Sequence, residues 1–393
     1  MGAAPAALSP HEGPAPAVES RVLRIAIDAR KLRDYGIGTY VRNLLRHLSR
    51  LDSETDYVLL CRAEDSGVVD ELGENFRTIP EAARPYSISE QLRIPLDIRR
   101  EGIDLFHAPH YVLPLLTPCK SVVTIHDCIH LRFPQYLPNR LAYAYARSSL
   151  WIATHRSNRV LTVSEASKRD ILRYFRIPEG KIDVIYNAID ERYGETPSPD
   201  EVERVRDRYQ LNAPYVLYAG NIKPHKNLER LIEAFHTLRQ DGDLAHVKLL
   251  IIGDEVSKYA TLRRAVHKYK LHKHVRFFGF VPDKTLAVLY RLARVFVFPS
   301  LYEGFGLPPL EAMASGTPVI TSNVSSLPEV VGDAALLIDP LNPAAIADAM
   351  RRVLMDSDLR ETLREKGLKR VREFSWERSV RRVREIYGEV LSD

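Results

Sequence analysis

The chain has 393 residues, 45% hydrophobic and 27% charged. That length suits two domains of ~150 residues or slightly more, and the composition excludes collagen-like, wholly disordered and disulfide-scaffold classes. Against 51 Asp and Glu, 56 Lys and Arg leave a net charge of +5, too mild to indicate nucleic acid although it allows attraction to phosphates or an anionic membrane.

Residues 1–20, MGAAPAALSPHEGPAPAVES, are Ala- and Pro-rich without a basic start, and read as a disordered tail rather than a signal peptide. The Met-Gly opening has Ala6 where a myristoylation motif wants Ser or Thr. No later apolar run approaches the ~20 residues of a membrane span. The three scattered cysteines, Cys61, Cys119 and Cys128, predict a reducing, cytoplasmic setting.

From Arg21 the apolar runs VLRIAID, YVLLC, IDLFHA, SVVTIH and RVLTVS read as strands of a sheet covered on both faces. Amphipathic segments such as TYVRNLLRHLSR, SEQLRIPLDIRREG, LAYAYARSSLWIATHR and EASKRDILRYF lie between them as helices. A polar stretch over 191–213 reads as a linker with a short charged helix. The rhythm then restarts with YVLYAG, VKLLIIGD, VRFFGF, VFVFPS, PVITS and ALLID. Two α/β sheets are predicted, with the default site between their carboxyl ends. The domain limits are 21–195 and 196–372, followed by a final helix over 373–393 whose apolar stripe of Val380, Val383, Ile386 and Tyr387 must dock on something.

Three loops carry the chemistry. In the first domain, Gly36-Ile37-Gly38 lies between the first strand and first helix, where backbone and helix end can meet an anion. It lacks the third glycine of a dinucleotide fingerprint, since Val41 stands there; a plain tight turn is the other reading. In the second domain, Gly220-Asn221-Ile222-Lys223-Pro224-His225-Lys226-Asn227 is another strand-to-helix turn. Asn227 is expected to cap the next helix, and Lys226 beside that positive helix end calls for a phosphate unless it is merely solvated. Third, Glu303-Gly304-Phe305-Gly306-Leu307-Pro308-Pro309-Leu310-Glu311 opens a helix. Glu311 is expected in the first turn, kept ionised by the helix dipole and able to accept a ribose diol. Glu303 is expected on the loop itself, at the sheet's carboxyl edge.

The spacing of Glu303 and Glu311 resembles the E-x7-E signature of retaining glycosyltransferases of family four, which have the GT-B fold. VTIHDCIHLRFP, TVSEASKRDI, YNAID, YAGNIKPHKN, FFGFVPD, the long stretch FVFPS…LLIDP and the terminal FSWE extend the resemblance from about 22 to 390. It implies two Rossmann-like doubly wound domains facing each other across a cleft, with the last helix crossing back to the first. It also implies transfer of a hexose from a nucleotide-diphosphate sugar with retention, without a metal or other cofactor. By resemblance, Glu311 holds the ribose, Lys226 the diphosphate, and Gly304, Phe305, Gly306 and Leu307 the hexose side of the donor. Glu303 and His126 lie beside the reacting sugar, Asn221 and Val281 border the donor, and Gly38 approaches the diphosphate from the first domain. Relatives carry an Arg where this chain has Asn221 or His225; a protonated His225 is one possible substitute. The look of the motifs is that of bacterial mannosyltransferases, implying GDP-mannose and a glycan or lipid-linked acceptor, with peripheral contact at the inner face of a membrane. UDP-glucose or UDP-GlcNAc are the alternative donors. The acceptor is expected along 86–119.

Rival readings are a sugar phosphorylase or epimerase, a non-catalytic sugar-binding relative, and a metal-dependent hydrolase. The last would use the ligand-type residues His107, His110, His126, Asp127, Cys128 and His130. Asp241-Gly242-Asp243 and Asp356-Ser357-Asp358 follow helices and read as turns.

Overall fold

A computed structural model describes residues 22–83, 87–253 and 259–393; the tail expected over 1–20 lies outside them. The first sheet comprises β1 (Arg24–Asp28), β2 (Asp56–Cys61), β3 (Phe76–Pro80), β4 (Leu105–Ala108), β5 (Lys120–Ile125), β6 (Arg159–Thr162) and β7 (Ile182–Val184). The second comprises β8 (Tyr215–Ala219), β9 (Lys248–Ile252), β10 (Val275–Phe278), β11 (Val295–Phe298), β12 (Val319–Ser322) and β13 (Ala335–Ile338). Strand orders are β3-β2-β1-β4-β5-β6-β7 and β10-β9-β8-β11-β12-β13, with parallel pairing such as Ile25↔Leu105 and Val295↔Val216.

The period-2 alternation of each strand feeds a core on either face of the first sheet. Ile25, Ile27, Leu59 and Leu105 enter one cluster, and Ala26, Val58, Leu60 and Phe106 the other. The continuous apolar runs are therefore explained by burial on both sides. Strands β3 and β7 were not among those expected. They are the two edges, and their half-exposed residues carry no apolar run.

The charged linker helix is Pro199–Tyr209, with a capping box in which Ser198 and Glu201 exchange bonds. The last helix, Trp376–Ser392, returns to the first domain. Trp376, Val380, Val383, Ile386, Tyr387 and Val390 join the cluster built on Ile25 and Tyr40. Its amphipathic stripe is thus buried by the domain that begins the chain.

Each sheet reverses direction of growth once, between β1 and β4 in the first and between β8 and β11 in the second. A crevice opens at the carboxyl ends of the strands at such switch points, where ligands of open α/β sheets bind. The loops after β8 and β11 carry Lys226 and Glu303; those after β1 and β4 carry Arg30 and His110.

Candidate active site

Lys226 and Glu303 form the centre of the second-domain crevice. The Lys226 Nζ donates to Glu303 Oε1 at 2.6 Å, with side-chain exposures of only 10% and 13%. The ammonium also lies 5.2 Å from the centre of the Phe298 ring, a cation–π contact on the strand beneath. In the free protein, then, the anion that offsets this cation near a helix end is Glu303. Asn221 is close by: its carbonyl accepts from Tyr218 at 3.2 Å, and Tyr218 stacks 5.8 Å from Phe298.

The glycine loop between the two glutamates is pinned from both domains. Ser326 Oγ donates to the carbonyls of Glu303 and Phe305, at 3.0 and 2.7 Å, and Ser325 Oγ to that of Glu303 at 2.5 Å. From the first domain, Ser164 Oγ donates to the Gly304 carbonyl at 2.6 Å. A Cβ on Gly304 would overlap the carbonyl oxygen of His126, and Gly306 has φ of 116°. Glycine is needed at both positions, the first for close approach of the domains and the second for its backbone. The Phe305 ring turns into the core against Tyr186 and Phe374, and Leu307, the first helical residue, packs on the same core. What this loop offers a ligand is backbone.

His126 stands across the loop on the end of β5. Its Nε2 is 3.0 Å from the carbonyl of Pro109, which can only accept, so Nδ1 carries the lone pair. Burial lowers its pKa to about 4, leaving a neutral ring at pH 7. Asp127 is the adjacent residue that spacing alone left only as a metal-ligand type. Burial raises its carboxyl, and the Glu303 charge adds to that against the pull of His130 and Lys226. Other residues of the domain seam were not singled out either. Tyr302 donates to Asp170 at 2.7 Å and accepts from the Cys128 amide at 3.2 Å. Glu329 caps the helix Glu165–Phe175 across the seam, accepting from the Glu165 and Ala166 amides at 2.7 and 3.1 Å.

Several expectations need correction. Glu311 is not in the first turn of its helix, which spans Leu307–Ala314, but one turn further on. There burial raises its carboxyl from 4.5 to about 7, and Tyr290 donates to it at 3.1 Å. The dipole contributes little beyond the first turn. Asn227 makes no side-chain cap; its amide nitrogen instead donates to the Pro299 and Pro340 carbonyls at 3.0 and 2.7 Å. His225 is a poor substitute cation, since burial and then the Lys226 charge pull it down to about 4.

Gly36 and Gly38 are within the helix Tyr35–Leu51, not ahead of it. The Gly38 amide already donates to the Asp34 carbonyl at 2.8 Å, and a side chain there would strike the Leu32 carbonyl. The amides left over at that helix end are the earlier ones, of Gly36 and Ile37. Val281 is buried in the second-domain core, whereas its neighbour Phe280 is 72% exposed on the loop.

The histidine metal site does not assemble. Both nitrogens of buried His107 are engaged, by Tyr387 at 2.6 Å and Thr124 at 2.8 Å. Among the described residues no group of three His, Cys, Asp or Glu is placed to hold an ion. Asp241 caps the short turn Gly242–Leu244, accepting from the Asp243 amide. Asp356-Ser357-Asp358 is not a turn but the start of the helix Ser357–Val371, which Asp356 caps by accepting from the Leu359 amide.

Two Rossmann-like domains joined at such a seam, with the final helix returned to the first, constitute the GT-B architecture of glycosyltransferases. The chain belongs to glycosyltransferase family 4: the model for glycosyl transferases group 1 matches residues 201–370, and that for Glycosyltransferase Family 4 matches 35–193. It is 37% identical over 274 residues to O-antigen chain mannosyltransferase B of Escherichia coli, covering 70% of this chain and 71% of the relative. It is 30% identical over 271 residues to the serotype-specific mannosyltransferase WbdA of the same organism. That match covers 66% of this chain but 32% of WbdA, so the chain spans about a third of that longer protein. Among solved structures, Anabaena HepE in complex with UDP-glucose superposes with a TM-score of 0.75 at 17% identity, over 93% of this chain and 100% of HepE. The protein is a glycosyltransferase.

Proposed function

We propose that the protein transfers mannose from GDP-mannose, with retention and without a metal, to a glycan or lipid-linked acceptor in assembly of an O-antigen-type polysaccharide. The observation that carries the transfer chemistry is the buried Lys226–Glu303 pair at the second switch point, facing His126 across the glycine loop. The mannose reading is supported by the 37% identity to an O-antigen mannosyltransferase. In this reading the diphosphate takes over Lys226 from Glu303, and Glu303 is released toward the sugar. The bond between the anomeric carbon and the diphosphate oxygen breaks, a bond to an acceptor hydroxyl forms on the same face, and the hydroxyl proton passes to the departing diphosphate. Lys226 and the helix end of the first domain stabilise the growing negative charge. His126, neutral, offers Nδ1 as acceptor to a sugar hydroxyl.

The test is a donor panel of GDP-mannose, UDP-glucose and UDP-GlcNAc with the anomeric configuration of the product read by NMR. GDP-mannose is expected to be consumed fastest and to give an α-linked product. Preference for a UDP-sugar would overturn the donor, and a β-linked product the retention.

No helix among the described residues is long and apolar enough to cross a membrane. A lipid-linked acceptor would nevertheless bring the protein to a membrane surface. Leu92 and Leu96 are exposed on the helix Ile88–Arg100, and Leu115 and Leu116 on the loop hydrogen-bonded to its Gln91. Arg93, Arg99 and Arg100 lie exposed on the same helix. Flotation with anionic vesicles is expected to carry the protein, and the double change Leu92→Ser, Leu96→Ser to reduce it. No flotation of the parent would argue against the contact.

A further inference from the structure

The first sheet has its own switch point, and it holds a cluster of buried charged side chains that the transfer chemistry above does not use. A recess at the ends of β1 and β4 is lined by Asp28, Arg30, Lys31, Glu90, His110 and Val112, with Ile37 and Pro109 at its sides. Pro109 is the residue whose carbonyl holds His126, so the recess opens beside the reacting centre. Buried charge of this density is expensive unless it has a use.

Its charges are arranged around one guanidinium. Arg30, 5% exposed, donates to both oxygens of Asp28, at 2.8 and 2.6 Å, and to Glu90 at 3.2 Å. Glu90, 1% exposed, also accepts from Tyr145 at 3.2 Å. Burial opposes the Arg30 charge, and the two carboxylates more than offset it. The Lys31 ammonium is matched by Asp34 at 2.8 Å. Two carboxylates therefore face one guanidinium, and no positive charge is left over. Burial raises the Glu90 carboxyl against the pull of Arg30, and a phosphate would meet no unpaired cation among the described residues here. A hydroxyl needs none: carboxylate lone pairs accept from it and the guanidinium donates to it. Size agrees, since the free space is about 10 Å³, room for about one hydroxyl and too little for a phosphate.

We infer that this recess receives one hydroxyl of an uncharged terminal sugar of the acceptor, which donates to the Asp28 or Glu90 carboxylate and accepts from the Arg30 guanidinium. The inference rests on the transferase reading above and adds that the acceptor's terminal unit is neutral rather than phosphorylated.

Direct binding tests it apart from turnover. Methyl α-D-mannopyranoside is titrated into the full chain by saturation-transfer NMR, alone and in competition with D-mannose 6-phosphate. The neutral glycoside is expected to bind and the 6-phosphate to compete at least tenfold less well. Glu90→Gln, which keeps size and removes charge, is expected to weaken glycoside binding by roughly tenfold. Val112→Phe, which fills the recess and leaves every charge in place, is expected to do the same, with nucleotide affinity reporting that each variant is folded. Undiminished glycoside binding in both variants, or better binding of the 6-phosphate, would overturn the inference. Glycoside binding that follows these rules in a protein that consumes no nucleotide sugar would leave the recess assigned and sink the transferase reading instead.

Discussion

Replacing Lys226 by Ala is expected to lower turnover by roughly 10²–10³-fold at saturating donor. The size follows from where the ammonium lies. At a partly buried site, two unit charges about 4 Å apart interact by about 4 kcal/mol, and a loss of 10²–10³ corresponds to about 2.7–4 kcal/mol in the barrier. Lys226 is 8% exposed, so little solvent screens its charge. Its removal also strips Glu303 of its partner at 2.6 Å, and breaking a buried pair destabilises the fold by itself. Lys226→Met breaks the same pair but keeps an apolar stem over Phe298, so it isolates the loss of charge from the loss of packing. It is expected to lose as much turnover with a smaller drop in thermal unfolding temperature. Near-normal turnover in either variant would remove Lys226 from the leaving group. The same argument expects wild-type turnover to persist in EDTA; a loss restored by a divalent ion would give that role to a metal.

How far the sequence revealed this site depended on how local each signal was. The strands buried on both faces were visible as apolar runs, while β3 and β7, half-covered at the edges, were not. The glycine loop could be placed from Gly304 and Gly306, because a turn needing close approach leaves its mark in residue type. What pins that loop could not: Ser164 and Gly304 are 140 positions apart, and Glu329 caps a helix 164 positions earlier. Such contacts come from the fold and have no spacing rule. The place of Glu311 along its helix was missed for a subtler reason. Counting from the glycines put it in the first turn, but the helix starts at Leu307, and four residues carry the carboxylate beyond the dipole's reach to a half-buried position beside Tyr290. Gly38 was misplaced in the same way: it lies inside the helix Tyr35–Leu51, close against the Leu32 carbonyl.

Donor affinity is expected to tighten by roughly tenfold between pH 6 and pH 8, and Glu311 is the cause. Its carboxyl titrates near 7 in the free protein, against 4.5 unperturbed, because burial disfavours the charge. A folded-state value raised in this way favours folding fully below about 4.5, and the benefit is lost as pH rises through about 7. Glu311→Gln should therefore unfold at a higher temperature than the parent at pH 8, by more than any difference at pH 5. Accepting a ribose diol needs the opposite state, the carboxylate. Binding of GDP-mannose at pH 6 should thus release close to one proton, measurable by calorimetry in buffers of different ionisation heat, and none at pH 8. Glu311→Gln should bind about 10–100-fold more weakly at pH 8 and show no dependence on pH. A protonated His225 acting on the diphosphate would produce the reverse slope, with affinity falling as pH rises. Its value of about 4 leaves almost no protonated form over this range, so the rising limb should stand alone. A flat profile in the wild type would take Glu311 off the ribose. A falling one would return His225 to the phosphate loop as its second cation.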